Sequence, residues 1–301
     1  MSPLPPSSIH SADYLVIGAG IAGASAAYWL APHGHVVVLE RESQPGYHST
    51  GRSAALFVAS YGTPQVRALT RASQAFFDRP PAGFAGQPLL TPRGTLTVAA
   101  PGQEAALDDY QRMLQADATP ASRLTGEQAR ALVPVLRPER VVGAIHEPEP
   151  ADMDVHAIHQ GYLRGLRGTG GKLVCDAEVQ VIERASGAVN GDWRVCAGGQ
   201  WYQAPVVLNA AGAWADQVAR LAAVPPLGLQ ARRRSAFTFA PPQDLAAAIA
   251  DWPMVGSVTE DWYFKPEAGM LLASPANADP VAPQDVQPEA LDIALAIDRI
   301  E

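Results

Sequence analysis

Residues 13–25 read Asp13-Tyr-Leu-Val-Ile-Gly-Ala-Gly-Ile-Ala-Gly-Ala-Ser25. Residues 13–17 predict a buried strand, the Ala-rich residues 21–31 a helix, and Val-Val-Val-Leu at 36–39 a second buried strand. Parallel strands need a crossover between them, usually a helix, so these three elements indicate a βαβ unit. The predicted fold class is α/β, beginning with a Rossmann-like parallel sheet.

Three glycines, at positions 18, 20 and 23, separate the predicted strand from the predicted helix. The first permits a tight turn, the second lets a pyrophosphate approach the backbone, and the third lets helix and strand pack closely. Glu40 ends the next strand, where an acid binds the ribose hydroxyls of an adenosine and favours FAD or NAD over NADP. The alternative is a glycine-rich turn in an ordinary βαβ unit.

The rest of the chain mixes helical and strand patterns. Alternating residues at 234–240 and 261–274 are typical of antiparallel strands, so we expect an α+β chain overall with two domains that are discontinuous in sequence. Pro- and Gly-rich residues predict connectors at 80–94 and 118–126. Further helices are predicted at 64–78, 103–117 and 154–167, and further strands at 172–175, 178–183, 193–196 and 205–209.

Composition excludes several classes of protein. The 301 residues carry 22 Lys plus Arg against 30 Asp plus Glu, and a net charge of −8 does not attract nucleic acid or an anionic membrane. Cys175 and Cys196 form no C-x-x-C motif, which favours a reducing compartment and a cytoplasmic location. Residues 14–39 lack charged side chains, but glycines interrupt them, so no membrane span is predicted. His156 and His159 have no third ligand in sequence, and no metal site is predicted.

The residues after Glu40 point to a flavin. Gln44-Pro-Gly-Tyr-His-Ser-Thr-Gly-Arg-Ser-Ala-Ala55 is small, polar and turn-forming, and Asn209-Ala-Ala-Gly-Ala-Trp214 is a second strand-to-glycine turn. Together they resemble the D-amino acid oxidase-like (DAO) superfamily of FAD-dependent oxidoreductases, and more narrowly the bacterial D-arginine dehydrogenases. The resemblance continues through residues 61–70, 159–164, 233–237 and 263–280. It implies an FAD-binding domain of residues 12–60 and 146–222, and a substrate domain of residues 61–145 and 223–301.

The resemblance also implies the cofactor and the residues that hold it. Hydride passes from Cα of a D-amino acid to flavin N5, and the imino acid is then hydrolysed to a 2-oxo acid and ammonia. The implied FAD-binding residues are Gly18, Gly20, Ile21, Ala22, Gly23, Glu40, Arg41, Ser49, Thr50, Arg52, Ser53, Ala54, Ala55, Leu56, Val179, Ala211, Gly212 and Trp214.

Three residues resemble the family's substrate-binding groups. Arg234 matches a guanidinium that clamps the substrate carboxylate, Tyr263 a tyrosine that contacts the same carboxylate, and Tyr61 a tyrosine on a mobile loop over the substrate. From the residues alone, Arg234 is better explained as a solvated member of the run Arg232-Arg233-Arg234, and only the resemblance favours the clamp. The two tyrosines are equally explained as ordinary half-buried aromatics.

The sequence departs from the D-arginine dehydrogenase pattern at the substrate side chain. Thr95 stands where that pattern has a glutamate for the guanidinium, and Leu56 where it has a histidine. A buried guanidinium without a counter-charge is costly, so we predict neutral or apolar D-amino acids as substrates. Family members also continue past the position of Glu301 with a strand, a second arginine and a Gly-Gly-x-Gly turn, which predicts that this chain lacks their C-terminal portion.

Other functions fit the same residues. A glycine or sarcosine oxidase would use the same fold on N-methyl amino acids or glycine, and a catalytically silent flavoprotein fragment would bind FAD without oxidising an amine. An NAD-dependent dehydrogenase gives residues 44–55 no role. The predicted partner is a small-molecule amino acid substrate, and the electron acceptor, a respiratory quinone or oxygen, stays open.

Overall fold

The computed structural model describes residues 9–185 and 191–300. The α-helices are Ile21–Leu30 (α1), Pro64–Asp78 (α2), Glu104–Ala116 (α3), Gly126–Leu132 (α4), Val155–Gly168 (α5), Ala215–Leu221 (α6) and Ala290–Ile300 (α7). The strands are Ile9–Ser11 (β1), Tyr14–Ile17 (β2), Val36–Leu39 (β3), Leu56–Phe57 (β4), Leu90–Pro92 (β5), Thr95–Ala99 (β6), Ser122–Thr125 (β7), Gly143–Glu147 (β8), Ala151–Met153 (β9), Lys172–Val174 (β10), Val179–Arg184 (β11), Trp193–Ala197 (β12), Gln200–Ala204 (β13), Val206–Asn209 (β14), Arg232–Arg233 (β15), Phe237–Phe239 (β16), Met254–Ser257 (β17), Tyr263–Glu267 (β18), Met270–Ser274 (β19) and Asp279–Pro280 (β20).

The chain divides into two compact units, and it passes from one to the other five times. The first unit comprises the described parts of Met1–Ser53, Pro80–Leu89 and Asp154–Ala231, and the second those of Ala54–Arg79, Leu90–Met153 and Arg232–Glu301. Residues 80–89 thus join the first unit, whereas the predicted substrate domain contained them. The predicted domain boundaries stay a prediction.

The first unit contains a parallel sheet in the order β10-β3-β2-β14. All four residues of β3 are buried, as expected for a strand covered on both faces. Helix α1 crosses from β2 to β3, which confirms the predicted βαβ unit. A second sheet, β1-β13-β12-β11, packs its apolar side chains into the same core.

The second unit contains a seven-stranded sheet in the order β16-β19-β18-β17-β6-β8-β7, antiparallel except between β17 and β6. One face is apolar and packs against α4, through Leu96, Val98, Ala144, Val255, Phe264 and Ala273. Side chains alternate along a strand, so the opposite face carries Thr95 of β6, Glu147 of β8, and Tyr263 and Lys265 of β18. We call this the polar face.

The mixed architecture confirms the predicted fold class, but the two predicted connectors each contain a short strand that was not predicted. Residues 80–94 contain β5, and residues 118–126 contain β7. Both strands are short and half exposed, and Pro92 lies within β5, so their composition resembled a loop. Among the described residues, no helix is long and apolar enough to cross a membrane.

Candidate functional site

A cleft opens in the first unit at the carboxyl ends of β2 and β3. This edge of a parallel sheet is where α/β proteins bind nucleotides. The lining residues are Ile17, Gly18, Gly20, Leu39, Glu40, Arg41, Gly46, Tyr47, His48, Ser49, Thr50, Ala177, Glu178, Val179, Ala210, Ala211, Gly212, Ala213, Trp214, Gln217, Val218 and Leu221.

The turn from β2 to α1 requires glycine at two positions. Gly18 has φ +100°, and a Cβ there would lie 2.5 Å from the carbonyl oxygen of Ala210. A Cβ on Gly23 would lie 1.8 Å from the carbonyl oxygen of Gly18. The turn is therefore closed too tightly for any side chain, and the first amide groups of α1 stay close to the cleft.

Glu40 is the buried acid of the cleft. One carboxylate oxygen accepts a hydrogen bond from the Ala19 amide at 2.7 Å, and the other accepts one from the Glu42 amide at 3.0 Å. Each carboxylate oxygen has two lone pairs, so both oxygens retain capacity for a ligand hydroxyl. Glu40 thereby fixes the glycine turn and still presents an acceptor.

Two side chains hold the glycine turn from outside the predicted motif. The Thr50 hydroxyl accepts a hydrogen bond from the Ile21 amide at 2.9 Å. His159 is buried on α5, and its Nε2 donates to the Ala19 carbonyl at 2.8 Å. Burial lowers the pKa of His159, which keeps the ring neutral and suits this single donated hydrogen bond.

Aromatic and charged side chains form the rim of the cleft. The Arg41 guanidinium lies 4.9 Å from the ring centroid of Trp214, and the His48 ring lies 4.6 Å from the same residue. Glu42 accepts from His48 at 2.9 Å and pairs with Arg41 at 3.1 Å. The rim presents flat rings and a cation at its open side, a surface suited to a planar aromatic group or a phosphate.

Most of the predicted cofactor residues meet at this cleft. Gly18, Gly20, Glu40, Arg41, Ser49, Thr50, Val179, Ala211, Gly212 and Trp214 line it. Ile21, Ala22 and Gly23 begin α1 behind the turn, Arg52 and Ser53 follow the lining residues, and Ala54, Ala55 and Leu56 belong to the second unit. Sequence reasoning missed the lining residues Tyr47, His48 and Gln217, and the buried His159, although Tyr47 and His48 lie within the segment 44–55.

The predicted substrate residues all lie in the second unit. Arg234 differs from its two neighbours: Arg233 pairs with Asp279, Glu289 and Asp292, and Arg232 donates to the Ala278 carbonyl at 2.8 Å. The Arg234 side chain is exposed, makes a long contact of 3.4 Å with the Ala276 carbonyl, and has no ion pair among the described residues. Its guanidinium remains available for an anion.

Tyr263 and Thr95 share the polar face, two strands apart. Thr95 is paired in register with Glu147, and its hydroxyl lies 3.4 Å from the Glu147 carboxylate. Leu56 is paired in register with Asp152, whose carboxylate binds Lys265 of the polar face at 2.8 Å. Two acids that sequence reasoning missed therefore lie beside two of these predicted residues, Glu147 beside Thr95 and Asp152 beside Leu56.

Comparison with known proteins agrees with this geometry. The family described as FAD dependent oxidoreductase, DAO, matches residues 13–300. The chain belongs to this family. FAD is therefore its cofactor, as predicted, and the cleft of the first unit fits FAD by a glycine turn without room for a Cβ and by the acceptor of Glu40.

Relatives and solved structures of this DAO chain are diverse. The chain is 27% identical over 257 residues to FAD-dependent oxidoreductase domain-containing protein 1 of Mus musculus, covering 74% of this chain and 51% of the relative. It thus spans about half the length of this curated relative. The crystal structure of glycine oxidase from Geobacillus kaustophilus has a TM-score of 0.78 at 20% identity, covering 97% of this chain and 77% of that one.

A second similar structure contains the cofactor. L-alpha-glycerophosphate oxidase from Mycoplasma pneumoniae, with FAD bound, has a TM-score of 0.81 at 17% identity, covering 96% of this chain and 78% of that one. At these identities the solved structures show a shared fold. The narrower resemblance to D-arginine dehydrogenases stays a prediction.

Proposed function

We propose that this chain oxidises the amine of small D-amino acids with neutral side chains, or forms the part of a longer protein that does so. The observation that carries the proposal is the unpaired guanidinium of Arg234 beside neighbours whose cations are already engaged. Bound FAD supplies the acceptor for the hydride that leaves the substrate Cα. Water then hydrolyses the resulting imino acid to a 2-oxo acid and ammonia.

The cleft of the first unit is proposed to hold the dinucleotide part of FAD. The amide groups at the start of α1 bind the pyrophosphate, apart from the Ile21 amide, which donates to Thr50, and the remaining lone pairs of Glu40 accept the ribose hydroxyls. Gly20 is the N-cap residue of α1 and has no side chain to cap the helix, so no side chain at that position keeps an anion from the amide groups of the first helical turn. Thr50 and His159 keep that turn in place.

Arg234 is proposed to bind the substrate carboxylate. A guanidinium binds a carboxylate through two parallel hydrogen bonds, which orients the amino acid as well as holding it. The adjacent backbone is fixed, because the Ser235 amide donates to Asn277 at 2.9 Å and the Ser235 carbonyl accepts from Ser274 at 2.6 Å. Its position is thereby set before the substrate arrives.

The preference for neutral side chains rests on the acids near Thr95 and Leu56. The Glu147 carboxylate already accepts hydrogen bonds from three hydroxyl groups, those of Ser60, Thr95 and Tyr110. Asp152 already binds Arg93 at 2.6 Å and Lys265 at 2.8 Å. Asp152 is already paired with two cations and Glu147 is only 1% exposed, so a substrate guanidinium would be desolvated without a direct ion pair to either acid.

Anaerobic reduction of the flavin by single substrates tests the proposal. D-alanine and other neutral D-amino acids should bleach the flavin absorbance, whereas L-alanine and D-arginine should not. Bleaching by sarcosine or glycine instead would support the oxidase of N-methyl amino acids. Bound flavin that no amine reduces would support the silent fragment, and either result would refute the proposal.

A matched pair of variants tests the role of Arg234. Arg234→Lys loses the bidentate geometry, and a charge-assisted hydrogen bond contributes about 1.5–3 kcal/mol, so KM for D-alanine should rise roughly tenfold to hundredfold. Arg232→Lys is the control, because among the described residues the hydrogen bond of the Arg232 guanidinium is to a backbone carbonyl, that of Ala278. Equal KM values for the two variants would contradict the assignment of Arg234.

A further inference from the structure

Glu147 is a buried acid in the second unit that the proposed chemistry does not use. It lies at the end of β8, is 1% exposed, and faces the polar side of the seven-stranded sheet. Ser60 donates to one carboxylate oxygen at 2.7 Å, and Thr95 contacts the other at 3.4 Å. Tyr110 of α3 also donates to that second oxygen.

No cation balances this carboxylate. Among the described residues, no Lys, Arg or His side chain forms an ion pair with Glu147. A buried charge without a counter-ion is costly and must be stabilised by hydrogen bonds. Burial and the adjacent carboxylate raise the pKa of Tyr110, so its hydroxyl stays protonated and keeps donating.

The Ser60 contact leads directly to Tyr61. Ser60 is 3% exposed and thus fixed in the interior, whereas Tyr61, the next residue, is 54% exposed. The Tyr61 amide donates to the Val58 carbonyl at 3.3 Å, which closes a turn. The Tyr61 hydroxyl has no hydrogen-bond partner in the part of the chain that the structure describes.

The other side of Tyr61 is also fixed. Arg67 of α2 donates to the Gly62 carbonyl at 2.7 Å, and its guanidinium is held by Asp117 at 2.7 Å. Thr63 begins α2 as its N-cap. Residues on both sides of Tyr61 are thus tied to the body of the second unit, one through Glu147 and one through Arg67.

We propose that Glu147 is a positioning residue for Tyr61, which it holds through the Ser60 hydroxyl. Residues 58–63 form a short loop with two anchors, and the backbone between them, which presents the exposed Tyr61 side chain to the substrate, is kept in place. The inference rests on the proposed function for the role of Tyr61 toward the substrate. The mechanical link from Glu147 to the loop does not depend on it.

Hydrogen exchange of the FAD-loaded protein tests the link without reference to catalysis. Ser60→Ala and Glu147→Gln should each increase exchange of the amides in 58–63 by about tenfold, because each weakens a hydrogen bond to a charged acceptor. Ser73→Ala is the matched control, since Ser73 lies on the exposed side of α2 and its hydroxyl bonds only to the Leu69 carbonyl. It should leave the loop unchanged.

Tyr110→Phe separates positioning from general stability. It removes a donor from Glu147 but leaves the Ser60 contact, so exchange in 58–63 should stay near the unmodified level even if the whole unit unfolds more readily. A uniform increase across the second unit in Ser60→Ala and Glu147→Gln, with no excess at 58–63, would overturn the inference. An excess confined to the loop would support it.

Steady-state kinetics connects the loop to the substrate. Ser60→Ala should raise KM for the amino acid about tenfold and leave the half-saturating FAD concentration unchanged, whereas Ser60→Thr, which retains the hydroxyl, should restore KM. If Ser60→Ala increased exchange in 58–63 but left KM unchanged, the proposed role of Tyr61 in positioning the substrate would be refuted. Exchange localised to 58–63 in a protein that oxidises no amine would refute the proposed function while the mechanical link stands.

Discussion

Replacing Gly23 by alanine should push α1 away from β2. An added Cβ would lie 1.8 Å from the Gly18 carbonyl oxygen, 3.0 Å from the Gly18 carbonyl carbon and 3.3 Å from a Val16 methyl group. The first two atoms are backbone in the turn itself, so no side-chain rotation can relieve the overlap. The helix must move outward, and the amides of its first turn move with it.

The magnitude follows from how far the contact must open. An ordinary carbon–oxygen contact begins at about 3.4 Å, so α1 has to shift by well over 1 Å at this point. Overpacking of a dense core costs about 1–3 kcal/mol, and a backbone collision belongs at the upper end of that range. We therefore expect Gly23→Ala to lose about 3 kcal/mol of unfolding free energy and most of its bound FAD.

Urea unfolding followed by circular dichroism, together with flavin content after gel filtration, checks both effects. Gly86→Ala is the control: it lies in the first unit, and an added Cβ meets no atom within 4 Å. That variant should match the parent or gain a few tenths of a kcal/mol, because alanine restricts the unfolded chain, about 0.4–1 kcal/mol at best. If Gly23→Ala retained full flavin and lost less than about 0.5 kcal/mol, the close-packing argument for the turn would be wrong.

Two further outcomes concern the same cleft. The Gln side chain of Glu40→Gln has one carboxamide oxygen for the two backbone amides that the Glu40 carboxylate binds. FAD affinity, measured by flavin fluorescence titration, should therefore fall about tenfold to hundredfold. The control variant Glu42→Gln, at the rim of the cleft, should change FAD affinity less. The pKa of His159 is lowered by burial, so the unfolded chain takes up the proton first as pH falls. Unfolding free energy should therefore decrease below about pH 6.5, by up to about 1.4 kcal/mol per pH unit from this group, and His159→Gln should lose that part of the slope in urea titrations at pH 5.5 and 7.5.

Local patterns were sufficient where one element follows another closely. The strand at 14–17, the helix at 64–78 and the hairpin of 263–274 were predicted within a residue or two, because each has a clear periodicity and a turn residue at its end. The glycine turn and Glu40 were predicted for the same reason, since a single βαβ unit contains all the residues involved.

The other features of the fold and the site depend on pairing between residues far apart in the sequence, which local patterns do not show. Strand β6 is surrounded by β8 and β17, which lie about 50 and 160 residues further along the chain, and no local signal links them. Glu147 and the hydroxyl groups of Ser60, Thr95 and Tyr110 that contact it come from four separate segments of the chain. The sequence showed that position 95 is threonine and not glutamate, but it did not show that Glu147 lies next to it. His159 was weighed as a metal ligand and lay within the resemblance at 159–164, but its contact with the Ala19 carbonyl, 140 residues away, exists only in the folded chain.

The order of synthesis has a consequence for the parallel sheet of the first unit. Strand β2 pairs with β3 early, but its other neighbour β14 follows roughly 170 residues after β3. At about 5–20 residues per second on the ribosome, the apolar edge of β2 stays uncovered for roughly 10–30 seconds. The nascent chain thus exposes an unpaired strand edge, which can pair with other chains, long before β14 is synthesised. The yield of the protein in cells should therefore depend on chaperones and on the speed of translation across residues 40–209.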